Sequence, residues 1–271
     1  MTKWRPAILA SALIGSFAVF SPSAAEHPFN WTGLYIGANT GVAIGEFSNS
    51  LSIVDNITNN YFFPAAIPGV NAAGSADLRS HKFIGGGQIG YNVQSGRWVW
   101  GIEVDFNSIR LKKNYGNGSI GADNFVYTTN GSPYQLAESA SANWLLTVRP
   151  RIGWLVNDRT MLYTTGGVAI TKLEFDQFFA EVPFTPTPEI ASLSKTKLGW
   201  TLGAGFAVAL TSNWVVKGEY LFTHFSAENA AGTLANANGV SALPGFVDGA
   251  TFNNSLKLDI HMLRAGINYK F

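Results

Sequence analysis

The sequence predicts an all-β fold: an eight-stranded antiparallel up-and-down transmembrane β-barrel with short periplasmic turns and long extracellular loops. Three observations carry that expectation. First, the chain ends on a strand with two unlike faces. Leu263, Ala265, Ile267, Tyr269 and Phe271 alternate with Arg264, Gly266, Asn268 and Lys270. Period two is the strand repeat, and here the apolar face closes on an aromatic at the carboxylate. Second, charged residues make up 13% of the chain, about half the roughly 25% of soluble domains. Yet beyond the leader no apolar run is long enough to cross a bilayer as a helix. Third, short and long connections alternate between the patterned segments, as at the two ends of an outer-membrane barrel.

The N-terminus reads as an export signal. Lys3 and Arg5 precede an apolar stretch at 7–20, followed by the small-residue site Ser23-Ala24-Ala25. The chain is therefore divided into a signal peptide at 1–25, cleaved after Ala25, and a barrel domain at 26–271. Such a protein belongs in the outer membrane of a Gram-negative bacterium. Of the 18 basic residues two lie in the leader, so the mature chain carries 16 against 17 acidic ones, a net charge of −1. That balance argues against a nucleic-acid partner. There is no cysteine, which excludes thiol catalysis and thiolate metal sites and leaves stability to the ladder and packing.

The strands follow in order. Strand one is expected at 31–45, with Leu34, Ile36, Ala38, Val42 and Ile44 facing lipid and Gly37, Asn39 and Gly41 facing the lumen. Strand two, at 82–94, turns Phe83, Ile89, Tyr91 and Val93 outward and Gln88, Asn92 and Gln94 inward. Strand three, at 98–108, opposes Trp98, Trp100, Ile102, Val104 and Phe106 to Glu103, Asp105 and Asn107. Strand four, at 142–154, opposes Trp144, Leu146, Val148, Ile152 and Trp154 to Thr147, Arg149, Arg151 and Gly153.

Strand five, at 161–171, is less regular. Leu162, Val168 and Ile170 suggest the lipid face, but Tyr163 is out of phase and leaves the parity open. Strand six, at 197–210, alternates cleanly, with Leu198, Trp200, Leu202, Ala204, Phe206, Val208 and Leu210 outward. Strand seven, at 214–225, sets Trp214, Val216, Tyr220 and Phe222 against Lys217 and Glu219, and strand eight runs over 256–271. Tight turns are expected at 95–97, 157–159 and 211–213. Long loops are expected at 46–81, 112–141, 175–196 and 226–255. The even strand count puts both chain ends in the periplasm. A secreted soluble barrel would need a polar exterior. Here the bulky face is aromatic and aliphatic, and the small, charge-bearing face suits the narrow interior of an eight-stranded barrel.

Several stretches resemble the opacity-like outer-membrane β-barrel family: 29–37 (FNWTGLYIG), 85–92 (GGGQIGYN), 100–106 (WGIEVDF), 163–169 (YTTGGVA) and the ending 264–271 (RAGINYKF). The nearest branch is the alphaproteobacterial outer-membrane immunogenic proteins. The likeness covers nearly all strands and none of the long loops. It implies a barrel folded by the outer-membrane assembly machinery, which would recognise the last strand through Tyr269 and Phe271. It also implies roles found among relatives: envelope structure, surface antigens and, in some, hemin binding.

Four constellations bear on chemistry. Gly85-x-Gly87-x-x-Gly90 matches a dinucleotide fingerprint in letters, but it lies inside a strand and no helix follows it, so the glycines are expected to make room in a narrow barrel. Glu103, Asp105, Arg149, Arg151, Lys217, Glu219 and Arg264 all fall on inward faces. Buried charges must be paired, and both signs are supplied, so these seven are expected to form a salt-bridged plug rather than an ion path. His81, His224 and His261 fall at the extracellular ends of their strands and are the candidates for hemin ligation. His224, Asp259 and Ser226 gather near the same rim, but Asp259 and His261 face outward, where no catalytic pocket forms.

The resulting expectation is a structural and surface barrel, non-enzymatic and without cofactor or metal, contributing to envelope integrity and surface interactions. A small-solute porin-like channel and a hemin-binding surface protein are the alternatives. Expected partners are outer-membrane lipid and lipopolysaccharide, the assembly machinery, and host or envelope partners met through the loops.

Overall fold

The computed structural model of the chain describes residues 28–54, 67–116, 126–127, 133–181, 189–233 and 250–271, so the predicted signal peptide lies outside it. The elements run β1 (Gly33–Val54), α1 (Ile67–Ala73), β2 (Ala76–Ser95), β3 (Trp98–Gly116), β4 (Val126–Tyr127), β5 (Pro133–Asn157), β6 (Thr160–Glu181), β7 (Glu189–Ala209), β8 (Trp214–Thr233) and β9 (Thr251–Lys270). β4 is a two-residue addition to β5. The other eight strands are those the alternation predicts. All pair antiparallel with their neighbours, and β9 returns to β1 to close the ring.

The strands are far longer than a bilayer requires. Crossing the hydrocarbon takes about 9–11 tilted residues, whereas β3 has 19 and β5 has 25. Much of what the sequence reading assigned to long loops is strand. The reason is visible in β1. Up to Ile44 the large aliphatic side chains Leu34, Ile36, Val42 and Ile44 face outward. Beyond them Phe47, Leu51 and Ile53 are buried inside, while Ser48, Ser50 and Ser52 face out. The alternation continues, but its polarity inverts. A pattern judged by an apolar outward face therefore stops at the lipid boundary although the strand does not.

Closure is confined to the lower part. The β2–β3 ladder ends at Gly85↔Ser108 and the β7–β8 ladder at Trp200↔His224. These ladders hold 11 and 10 pairs, matching the length needed to span lipid. Within hydrocarbon an unpaired strand edge cannot be satisfied, so the ring must be complete there. Above it water accepts the free edges, and the ring divides into two four-stranded sheets, β8-β9-β1-β2 and β3-β5-β6-β7. Bulges at the division bend the strands: the registers slip between Ser108 and Leu111, between Ala142 and Leu145, and between Phe225 and Glu228.

The two sheets pack face to face over an apolar interior. Phe47, Phe225, Leu256 and Leu258 from one meet Leu111, Leu145, Leu173 and Phe175 from the other. A second apolar cluster lies above, where the Phe179 and Phe252 rings are 4.9 Å apart and Val70 of α1 packs among Leu51, Ile53 and Leu136. The α1 segment also covers the edge of β1 beyond its pairing with β2. Leu51 N donates to Ser75 Oγ at 3.0 Å and Ile53 N to Asn71 Oδ1 at 2.9 Å, which blunts an otherwise exposed edge.

The periplasmic mouth is closed by the segment before β1. Trp31, 2% exposed, packs edge-on against Phe29 and joins Val99, Leu155, Met161 and Val215. Its backbone N–H donates to Gln94 Oε1 at 2.9 Å. The sequence reading began strand one at residue 31. The ladder begins at Gly33, and Trp31 serves as a stopper beneath it.

Tyr163 settles the parity of β6. It is buried with Met161, Thr165, Ala169 and Thr171, while Leu162, Val168 and Ile170 face out. The aromatic that seemed out of phase is an inward residue in phase with its neighbours.

Candidate functional site: the charged layer of the lumen

Strand alternation brings the seven predicted lumen charges into one layer. Glu103 and Asp105 stand on β3, Arg149 and Arg151 on β5, Lys217 and Glu219 on β8, and Arg264 on β9. None is more than 5% exposed. Arg149, fully buried, lies at the centre. Its Nη2 reaches Glu103 Oε1 at 2.8 Å and Asp105 Oδ2 at 2.6 Å, and its Nη1 reaches Glu219 Oε2 at 3.3 Å. Arg264 bridges the remaining oxygens, with Nε donating to Glu219 Oε1 at 2.7 Å and Nη1 to Asp105 Oδ1 at 2.9 Å. Lys217 Nζ donates to both oxygens of Glu103, at 2.8 and 2.9 Å. The two arginine forks supply the directional donors that planar carboxylates accept best.

Arg151 is held differently. Its nearest carboxylate oxygen is Glu103 Oε2 at 3.6 Å, and its Nε donates to Asn92 Oδ1 at 3.1 Å. Its guanidinium carbon lies 5.0 Å from the Tyr35 ring and 5.2 Å from the Tyr163 ring. Ring faces attract a desolvated cation. The layer holds four cations to three carboxylates, and the cation with the most distant acid is the one set between two aromatics.

Sequence reasoning missed these tyrosines as members of the network, and it placed Thr147 inward without giving it a partner. Tyr35 OH donates to Glu103 Oε2 at 2.9 Å and Tyr163 OH to Glu219 Oε2 at 3.0 Å. Thr147 Oγ1 donates to Asp105 Oδ2 at 2.6 Å. Parity alone marks Tyr35 and Thr147 as inward, whereas Tyr163 left its strand's parity open because aromatics were read as lipid-facing by default. Glycine gives the network its space. A Cβ on Gly167 would lie 2.2 Å from Val148 O and 2.9 Å from Arg149 Cα, and one on Gly41 would lie 2.7 Å from Arg264 Cα. The backbones flanking both arginines approach too closely for any larger residue.

A second polar layer lies above the first apolar one, in residues expected to be loop. Asn49 Nδ2 donates to Glu138 Oε2 at 3.1 Å and to Asn254 Oδ1 at 3.1 Å. Gln177 Nε2 donates to Glu138 Oε1 at 2.9 Å. Glu138 is 3% exposed and has amide donors but no cation among the described residues. Burial pushes its carboxyl up to about 7.

The three candidate hemin histidines do not converge on a pocket. His261 Nδ1 shares a hydrogen bond with Tyr220 OH at 2.7 Å, and His224 Nδ1 lies 2.6 Å from Asp259 Oδ1. Both lie on the outward face of the barrel. His81 is exposed on β2, and Ile44 of β1 stands between it and His261 in the register. Asp259 also pairs with Lys257 at 2.8 Å. Ser226 sits exposed in the β8 bulge, and no hydrogen bond to His224 joins it among the described residues. Tyr269 and Phe271 stack edge to face at 5.2 Å, and Tyr269 packs on Trp214 at 5.1 Å, on the outward face at the periplasmic end.

The chain is 32% identical over 270 residues to the 31 kDa outer-membrane immunogenic protein of Brucella melitensis biotype 1, covering 96% of this chain and 94% of that protein. It is 26% identical over 182 residues to the 25 kDa outer-membrane immunogenic protein of Brucella canis, covering 67% and 62%. Among solved structures, OprG from Pseudomonas aeruginosa matches 91% of this chain and 99% of its own at 12% identity, with a TM-score of 0.44. The family model described as outer membrane protein beta-barrel domain matches residues 9–271. The chain belongs to that family and is a protein of the outer membrane.

Proposed function

We propose that this protein is a sealed, non-enzymatic surface barrel. It contributes to envelope integrity and presents the two-sheet extracellular part to partners, and it does not conduct solutes. The observation that carries this reading is the succession of layers along the lumen. From the periplasm outward these are the Trp31 stopper, the ion-paired layer, the apolar interior around Phe47 and Phe175, the amide and Glu138 layer, and the apolar cap under α1. A water path would have to displace fully buried Arg149 and then wet two apolar layers. The likeness to outer-membrane immunogenic proteins supports display at the cell surface.

Planar-bilayer recording tests the reading. Wild type is expected to show no steady conductance, and stable open-channel current would make it a porin instead. Detergent-phase hydrolase and acyl-transfer assays are expected to stay at background, and turnover that depended on His224 would overturn the non-enzymatic part.

Tyr269 and Phe271 are proposed as the signal read by the assembly machinery. Deleting Phe271, whose N–H donates to Leu34 O at 3.0 Å, also removes a tie between the last residue and β1. The truncated chain is expected to accumulate in the periplasm and be degraded. Normal surface levels would count against recognition at that end.

A further inference from the structure

The two seams where the barrel divides differ in charge. At the β7/β8 seam, Lys195 and Lys197 of β7 both pair with Glu228 of β8 across the gap. Nearby, Lys257 and His224 share Asp259. Each of these three lysines thus has a carboxylate partner, and the Glu228 contacts clip the two sheets together. At the β2/β3 seam, Lys82, Arg110, Lys112 and Lys113 are all exposed, and none of them makes an ion pair among the described residues. Neighbouring Glu46 is taken by Arg79 at 3.0 Å. What crosses this seam among the described residues is one neutral hydrogen bond, from Ser80 Oγ to Lys112 O at 3.2 Å.

The height of this seam is fixed by its neighbours. Lys82 directly follows in space the outward Phe83, which is 88% exposed. Arg110 comes just beyond Phe106, whose ring stacks on Trp144 at 6.0 Å. The four cations therefore stand immediately above the apolar belt, at the level of the outer-leaflet headgroups. Arg110 also adopts a left-handed backbone, φ 45°, which a non-glycine residue takes at a cost and which turns the β3 edge where its ladder to β2 has ended.

We propose that the β2/β3 seam is a docking site for the phosphorylated headgroup of an anionic outer-leaflet glycolipid, with Lys82, Arg110, Lys112 and Lys113 supplying the charge-assisted contacts. The inference rests on the outer-membrane placement of the barrel but not on the sealed-lumen reading. Unmatched cations at a lipid boundary attract anionic headgroups, and arginine and lysine are the usual donors to phosphate. At the β7/β8 seam Lys195, Lys197 and Lys257 are already held by Glu228 and Asp259, which leaves less charge to offer there.

The test uses the full mature chain in phosphatidylcholine vesicles doped with diphosphorylated lipid A, and reads lipid A bound per barrel. The K82Q/R110Q/K112Q/K113Q variant is expected to bind at least about tenfold more weakly, while K195Q/K197Q at the opposite seam binds as wild type. Equal losses in both variants would reduce the effect to general surface charge and overturn the proposal, as would unchanged binding by the quadruple variant. A second arm needs no mutation. Wild type is expected to lose binding to lipid A stripped of its phosphates, and retention would overturn phosphate recognition. Inorganic phosphate at the concentration of the lipid should not compete. Competition by the free ion at that level would point to a soluble anion and overturn the headgroup assignment. Conductance plays no part in these readouts, so a wet lumen would leave the result interpretable.

Discussion

The lower and upper halves of this barrel are built from the same eight strands with the same alternation and opposite polarity. In the membrane the outward face is Leu, Trp, Phe and Val, and the inward face holds Arg149, Arg264 and their carboxylates. Above it the outward face is serine and charged residues, while Phe47, Phe175, Leu256 and Leu258 are inside. A strand specifies two faces, and the surrounding solvent decides which of them can be apolar. Topology follows the same division. The ring is closed where lipid forbids free edges, and it is two sheets where water permits them.

The largest expected effect breaks the lower half from within. Arg149→Ala leaves three carboxylates short of a partner in a buried layer and should cost about 3–5 kcal/mol. Removing Asp105 as well should recover part of that loss, measured by thermal or urea unfolding in lipid. In the upper half, Phe175→Ala should also destabilise, by opening a cavity, but no second truncation should rescue it. If Arg149→Ala is silent, the layer is solvated and the contrast between the halves fails.

The next effect compares two outward positions. Leu202, 59% exposed, lies on the lipid face of β7. Leu202→Arg should cost about 2–4 kcal/mol near the bilayer midplane. Ser50 has the same outward orientation on β1 but stands in water, so Ser50→Arg should stay within about 0.5 kcal/mol. Equal costs, read from unfolding in the same lipid, would mean that the lipid boundary has been drawn at the wrong height.

A smaller, local effect belongs to the upper half. An exposed glutamate titrates near 4.5, and Glu138 in its buried amide layer titrates at about 7. Its folded value is raised, so its contribution to stability is complete below about 4.5 and is lost as pH rises through about 7. Protease protection of the extracellular strands should weaken across that window, while the lower ring stays intact. Glu138→Gln should remove the pH dependence, and its persistence in that variant would assign the transition to another group.

The sequence made the lower half legible and the upper half only in part. Within lipid both faces obey one rule, so Trp98 to Phe106 and Leu198 to Leu210 could be placed by alternation, and parity alone gathered the seven lumen charges. Tyr163 misled because an aromatic inside a barrel violates that rule, although its hydroxyl has a carboxylate to meet. Past Ile44, Phe106 and Leu198 the rule reverses, and segments rich in serine and asparagine look like loops. The inverted alternation of Phe47, Asn49, Leu51 and Ile53 was present in the chain and would have extended β1 had either polarity been allowed. Where the β2–β3 and β7–β8 ladders stop is set by the end of the lipid and by bulges at Arg110 and Ser226, which no local pattern announces.

The absence of cysteine permits the most direct test, a single-cysteine scan along β1 on intact cells with a membrane-impermeant maleimide. Ser48→Cys and Ser50→Cys should label rapidly. Phe47→Cys and Leu51→Cys should stay protected inside the sandwich, and Val42→Cys should be protected by lipid. That alternation, beginning only above the lipid boundary, is the result the two-part, sealed architecture predicts. Labelling at Phe47 and Leu51 as fast as at Ser48 and Ser50, in a variant that assembles normally, would mean a water-filled interior and contradict it.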